Sequence, residues 1–247
     1  MSEMRSADIF IIGLGTVVGW QLTREAEHAL RKSEKVFYLD SGLGSADFLR
    51  SICKETIDLN PLSYQEGQPR RAAYDRMSAL VLKAALETRP VAFAVYGHPR
   101  VYVYPTEQIS SAAKLLNLKV RIIPGISSLD TMFVDLDLDP GLNGFQMYEA
   151  TDLIARDRPL QIDVPAMIWQ VGVVGTGLYT DRQSNPERFQ PLLKHLLKFY
   201  GSDHVVSVVK SADTPLTKSS LKNFRLEDLP NLLAGLISVL QSLHSDF

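Results

Sequence analysis

A single cysteine, Cys53, is all the thiol this chain holds, so no disulfide can close within it and a reducing, cytoplasmic setting is expected. Histidine is sparse too. His28, His98, His195, His204 and His244 lie scattered without ligand spacing, which argues against a zinc site. Neither sign of charge prevails: 26 Lys and Arg against 28 Asp and Glu leave a formal net charge of −2, with no electrostatic footprint for nucleic acid. No apolar stretch approaches the length of a membrane span, and Met1–Asp8 is polar, so neither a span nor a secretory signal is expected. Repeats, low-complexity tracts and an obvious linker are missing as well.

What is present is ordinary globular material, 45% hydrophobic and 22% charged, in 247 residues, enough for one sizeable α/β domain or two small ones. The most informative stretch runs from Val91 to Pro105. Val91–Val95 is too short and apolar for a surface helix and reads as a buried strand of a parallel sheet. Tyr96-Gly97-His98-Pro99 then forms a loop at the strand's carboxyl end, where open α/β sheets place ligands. Gly97 permits close approach of a bound molecule, and Pro99 stiffens the turn.

The chain opens with a strand, Asp8–Ile12, a glycine loop over 13–19, a helix capped by Thr23 and running to about Lys32, and a second strand, Lys35–Leu39. The loop spacing is G-x-G-x-x-x-G, one residue longer than the dinucleotide fingerprint. With Asp40 at the end of the second strand, a nicotinamide cofactor is a first guess that the spacing weakens. A short helix over Ser45–Lys54 and a polar loop over Asn60–Pro69 follow. From Arg70 apolar residues recur at helical intervals, and Arg70 and Tyr74 share one helix face. After the central strand come a helix, Thr106–Leu116, a strand, Lys119–Ile123, and the turn Pro124-Gly125-Ile126-Ser127-Ser128 leading into a helix to about Asp135. Beyond it, Phe145–Tyr148, Ala166–Val171 and His204–Lys210 read as strands, Asn185–Tyr200 as a long amphipathic helix, and Asn231–Leu243 as an apolar closing element. Two α/β lobes joined near residues 124–139 are expected, with the division written as 1–125 and 126–247.

Taken together, the glycine loop followed by Leu22-Thr23, the Gly97-His98-Pro99 loop and the Pro124–Ser128 turn resemble the tetrapyrrole (corrin/porphyrin) methylase superfamily over essentially the whole chain. That resemblance implies a two-lobed α/β fold, S-adenosylmethionine held in the interlobe cleft (leaving S-adenosylhomocysteine as product), a homodimer, and a first glycine loop on the substrate side. Tyr96-Gly97-His98-Pro99 replaces the usual Gly-Asp-Pro of the superfamily. With Gln146–Ala150, Trp169–Gly172 and the Tyr64…Arg70…Tyr74 spacing, it looks like the borosin peptide backbone N-methyltransferases. This implies catalysis by Tyr64, Arg70, Tyr74 and Tyr96, and a donor held by Tyr96, His98, Val101, Tyr102, Val103, Ser127, Ser128 and Gln170. Because the sequence ends at Phe247, it resembles the split form, whose precursor peptide is a separate partner in a heterotetramer.

The chemistry suits those residue types. A peptide nitrogen delocalises its lone pair into the carbonyl, so methylation needs loss of the N–H proton and stabilisation of charge moving to oxygen. A phenol ordinarily titrates near 10, and a neighbouring guanidinium favours its ionised form. Plainer readings exist for each residue: a solvated helix start for Arg70 and Tyr74, a core aromatic for Tyr96, a loop lock for His98, helix caps for Ser127 and Ser128, a strand end for Gln170. A small-molecule, tetrapyrrole-type methylase and a non-catalytic S-adenosylmethionine-binding relative are the alternative functions.

Overall fold

A computed structural model describes residues 7–40, 42–179, 186–212, 214 and 216–232. The chain divides into two compact units, one of residues 1–136 with 211–220, the other of 137–210 with the chain from 221. The first unit thus runs on to Leu136, past the boundary written at residue 125, and takes back a later stretch of chain.

The first unit is built from β1 (Ile9–Gly13), α1 (Arg24–Lys32), β2 (Lys35–Leu39), α2 (Ser45–Ile52), β3 (Thr56–Asp58), α3 (Asn60–Ser63), α4 (Arg70–Glu87), β4 (Val91–Val95), α5 (Tyr104–Leu115), β5 (Val120–Ile123) and α6 (Ser128–Asp135). Its strands pair in the order β3-β2-β4-β1-β5, all parallel. Every residue of β1 and β4 is buried, since helices cover both faces and leave no polar side to the alternation. Ile9, Ile11, Val91 and Phe93 meet Met77 and Val81 of α4 and Ile109 of α5, while Phe10, Ile12, Ala92 and Ala94 meet Ala26 and Leu30 of α1 and Leu49 of α2. Thr23 caps α1 by accepting a hydrogen bond from the Ala26 amide at 3.1 Å.

Two expectations need correction here. The polar stretch 60–69 is not all loop: Asp58 Oδ1 accepts from the Asn60 amide at 2.9 Å, and Pro61 starts the short helix α3. The strand β3 before it is short and only half-buried, which leaves little sequence signal. The long helix expected over 185–200 is a 3-10 turn, Pro186–Phe189, followed by a short α-helix, Gln190–Leu196, because Pro191 lacks the N–H that a continuous helix requires.

The second unit comprises α7 (Pro140–Asn143), β6 (Gln146–Glu149), α8 (Ala150–Ala155), β7 (Ala166–Trp169), α9 (Gln190–Leu196), β8 (Val205–Lys210) and β9 (Ser220–Arg225). β6 and β7 form a parallel pair, and β8 and β9 form another two-stranded sheet. Its core gathers Leu153, Phe189, Leu192, Leu196 and Leu226. Buried His195 faces Asp157 through Nδ1 at 3.2 Å and the Arg158 carbonyl through Nε2 at 3.0 Å, tying α9 to the turn after α8. The apolar tail expected to close this lobe lies outside the described residues from position 233 onward. No helix among the described residues is long and apolar enough to cross a membrane.

Candidate active site

In the first unit the parallel order brings the exits of all five strands to one edge of the sheet. The centre of that edge is backbone. A Cβ on Gly13 would lie 2.5 Å from the Gly97 carbonyl oxygen and 2.6 Å from the Gly125 nitrogen, so the exits of β1, β4 and β5 meet with no side chain between them. Gly15 and Gly97 exchange hydrogen bonds, with the Gly97 amide donating to the Gly15 carbonyl at 2.8 Å and the reverse bond at 3.3 Å.

The β1 loop is not built to hold a phosphate. Gln21 folds its side-chain oxygen under the loop, where it accepts from the Thr16 amide at 2.8 Å, the Thr16 hydroxyl at 2.7 Å and the Val17 amide at 3.0 Å. Those N–H groups are what a dinucleotide loop would present to a pyrophosphate. Asp40 also turns inward. It is 7% exposed, its Oδ1 accepts from the Gly42 amide at 2.8 Å, and burial pushes its carboxyl above the usual carboxylate range. Together these features remove the nicotinamide reading. Cys53 is equally unsuited to nucleophilic work, since burial pushes its thiol up to about 11. Among the described residues no group of three or more His, Cys, Asp or Glu is placed to hold a metal ion.

The sequence-selected residues fall as follows. Tyr64 ends α3 and Arg70 begins α4, both half-buried, and the β3–α4 connection that carries them starts at the ligand edge. Tyr64 and Tyr74 pack on the core cluster that also contains Val95. Tyr96 leaves β4 at the same edge, 43% exposed, with its amide donating to the Leu39 carbonyl at 3.2 Å. His98 accepts from the Arg100 amide through Nδ1 at 3.1 Å, which locks the loop. Val101 and Val103 are half-buried on that loop, and Tyr102 holds a left-handed backbone with φ 56°. Ser127 is the buried N-cap of α6. Its Oγ accepts from the Leu129 amide at 3.0 Å and its own amide donates to Asp130 Oδ2 at 2.6 Å, leaving the hydroxyl hydrogen as a donor. Ser128 is half-buried in the first turn. Gln170 belongs to the second unit, exposed and left-handed at φ 56°.

Gln21 carries no signal in the sequence, because its role depends on partners that only folding brings together. Also at this edge is a cavity of about 370 Å³ between the β1 loop and the start of α2. Val17, Trp20, Leu43 and Phe48 form its apolar wall, Thr16 and Ser45 add hydroxyls, and no charged side chain lines it among the described residues.

A fully parallel sheet with three glycine-backbone loops meeting at its carboxyl edge defines an α/β protein with a ligand site at that edge. The profile of the Tetrapyrrole (Corrin/Porphyrin) Methylases matches residues 8–218, and the chain belongs to that family, whose methyl donor is S-adenosylmethionine. The chain is 28% identical over 240 residues to the methyltransferase and ribosomally synthesized cyclic peptide precursor for gymnopeptides of Gymnopus fusipes, covering 95% of this chain and 57% of that one. It is 31% identical over 205 residues to the corresponding omphalotin A precursor of Omphalotus olearius, covering 83% and 49%. The chain thus spans about half the length of these two relatives. Among solved structures, uroporphyrin-III-C-methyltransferase of Thermus thermophilus superposes with a TM-score of 0.61 at 20% identity, over 93% of this chain and 87% of that one. A complex of that enzyme with S-adenosyl homocysteine gives 0.59 at 18% identity, over 91% and 86%.

Proposed function

We propose that this chain is an S-adenosylmethionine-dependent methyltransferase acting on backbone amide nitrogens of a ribosomally made peptide. One observation carries the reading. Tyr64, Arg70 and Tyr96 come from segments that the parallel topology delivers to the same edge, beside loops whose glycine contacts leave main chain facing a ligand. The relatives named as methyltransferase and peptide precursor in one chain support it.

Bound S-adenosylmethionine supplies an electrophilic methyl group. Tyr96, His98, Val101, Tyr102, Val103, Ser127 and Ser128 would hold it through backbone groups and hydroxyls at the exits of β4 and β5; Gln170 enters this reading from the resemblance alone. Tyr74, acting as its phenolate, takes the amide proton and becomes the phenol. Arg70, fixed in charge, stabilises the anion developing on the peptide oxygen, with Tyr64 as a second donor and Tyr96 beside the reacting nitrogen. The uncharged cavity by Trp20 and Leu43 offers a bed for an apolar side chain of the acceptor. In this reading the protein works as a homodimer in the cytoplasm, and the acceptor is a separate polypeptide.

The test is mass spectrometry of precursor peptides co-expressed with the chain. Added methyl groups on backbone nitrogens are expected, falling by about 100-fold or more with Arg70→Ala or Tyr74→Phe. Undiminished methylation in both variants would remove the assigned roles. Methylation of a tetrapyrrole with no peptide acceptor would favour the small-molecule reading.

A further inference from the structure

From the packing of α4 on α5 we infer that Tyr104 is a positioning residue for Tyr74, holding its ring in the orientation that presents the phenol to the acceptor. This rests on the reading of Tyr74 as the group that takes the amide proton. The two rings lie 5.9 Å apart between centroids at 48°, within the range of favourable tilted aromatic pairs. The Arg71 guanidinium lies over the Tyr104 ring at 5.5 Å, so α4 grips this ring from two positions one turn apart. One turn further along α5, Gln108 Nε2 donates to Asp75 Oδ1 at 2.5 Å, and its Oε1 accepts from the Ser78 hydroxyl at 3.2 Å. Arg71, Tyr74, Asp75 and Ser78 follow the i, i+3, i+4, i+7 rule. Tyr104 and Gln108 therefore form a ledge along a single face of α4.

The ledge is anchored where it matters. Tyr104 opens α5 immediately before buried Pro105 and Thr106, which fix the direction of the chain. The same short loop carries Tyr96 at its other end, so two of the proposed catalytic phenols are referenced to one segment. Tyr74 is only half-buried, so the core cluster contacts only part of its ring. Tyr104 is itself 43% exposed and lies outside the buried core cluster, so its replacement is expected to leave the fold intact. The contact is made by the ring and not the hydroxyl. Phenylalanine therefore serves at this position and leucine does not.

The experiment compares the full-length chain with Tyr104→Leu and Tyr104→Phe by nuclear magnetic resonance of ring-labelled tyrosine, with the Tyr74 signals assigned by their loss in Tyr74→Phe. Tyr104→Leu is expected to speed the Tyr74 ring flips relative to the unaltered chain, Tyr104→Phe to leave their rate unchanged, and S-adenosylmethionine affinity to stay within about twofold in both. An unchanged Tyr74 flip rate in Tyr104→Leu overturns the inference. On a methylated peptide, Tyr104→Leu is expected to lower kcat roughly tenfold at unchanged KM, and to lower it no further in the Tyr74→Phe background. An equal loss in both backgrounds also overturns it. If no peptide is methylated at all, the peptide reading falls, while the tyrosine spectra still decide whether Tyr104 orients Tyr74.

Discussion

The first unit seals its central strands on both faces, whereas the second leaves much of its strand surface open. β1 and β4 are buried at every residue, but β8 alternates between exposed and half-buried positions, with Val205 62% exposed, and β9 is exposed along most of its length. The cause is topology. Parallel strands joined by helical crossovers are covered above and below, while short two-stranded sheets have few elements to cover them. A rigid sheet is what precise placement of reactive groups requires, and every candidate residue except Gln170 belongs to the unit built on that sheet.

The sharpest way to break this contrast is by truncation. Phe93→Ala empties a fully buried ring site in β4 and is expected to cost about 3–5 kcal/mol, whereas Val205→Thr on β8 should stay within about 0.5 kcal/mol, both read from chemical denaturation. Similar losses at the two sites would mean that the second unit is as tightly packed as the first. A smaller effect is expected at the β1 loop. Gln21→Leu strips three donors of one acceptor and should cost roughly 1–3 kcal/mol, with fast hydrogen exchange at Thr16 and Val17 as the local signature. Smallest is the titration of Asp40. Its folded carboxyl is raised by burial, so the folded state holds the proton more tightly than the unfolded chain. Stability from this group is complete below the unfolded carboxyl pKa and declines as pH rises through the raised folded value. Asp40→Asn keeps the acceptor for the Gly42 amide and should flatten that decline in Tm, and an unchanged pH profile would show that the carboxyl is better solvated than its burial implies.

Much of the first unit was legible because its signals are local. The sequence marks Lys35–Leu39 with the bounds the strand has and Thr23 as the cap of α1, since a β-branched run and a capping hydroxyl act on immediate neighbours. β9 escaped notice because Ser220–Arg225 is too polar to signal a strand, and the broken helix at Pro191 shows a proline overriding an apolar pattern. The proposed catalytic set rests on a resemblance in spacing, not on periodicity. Sequence could not show that Gln21 would bond back under its own loop, or that Tyr104 would meet a residue thirty positions earlier, because both depend on how the elements come together.

The paired hydrogen bonds between Gly15 and Gly97 carry a consequence for how such a protein can diverge. Each glycine supplies the other's donor and acceptor, so the two loops are stitched together and neither can be lengthened or re-angled without loosening its counterpart. Natural variants that remodel one loop should carry a matching change in the other, and an engineer grafting a new acceptor specificity onto this scaffold would have to transplant both loops as a single piece.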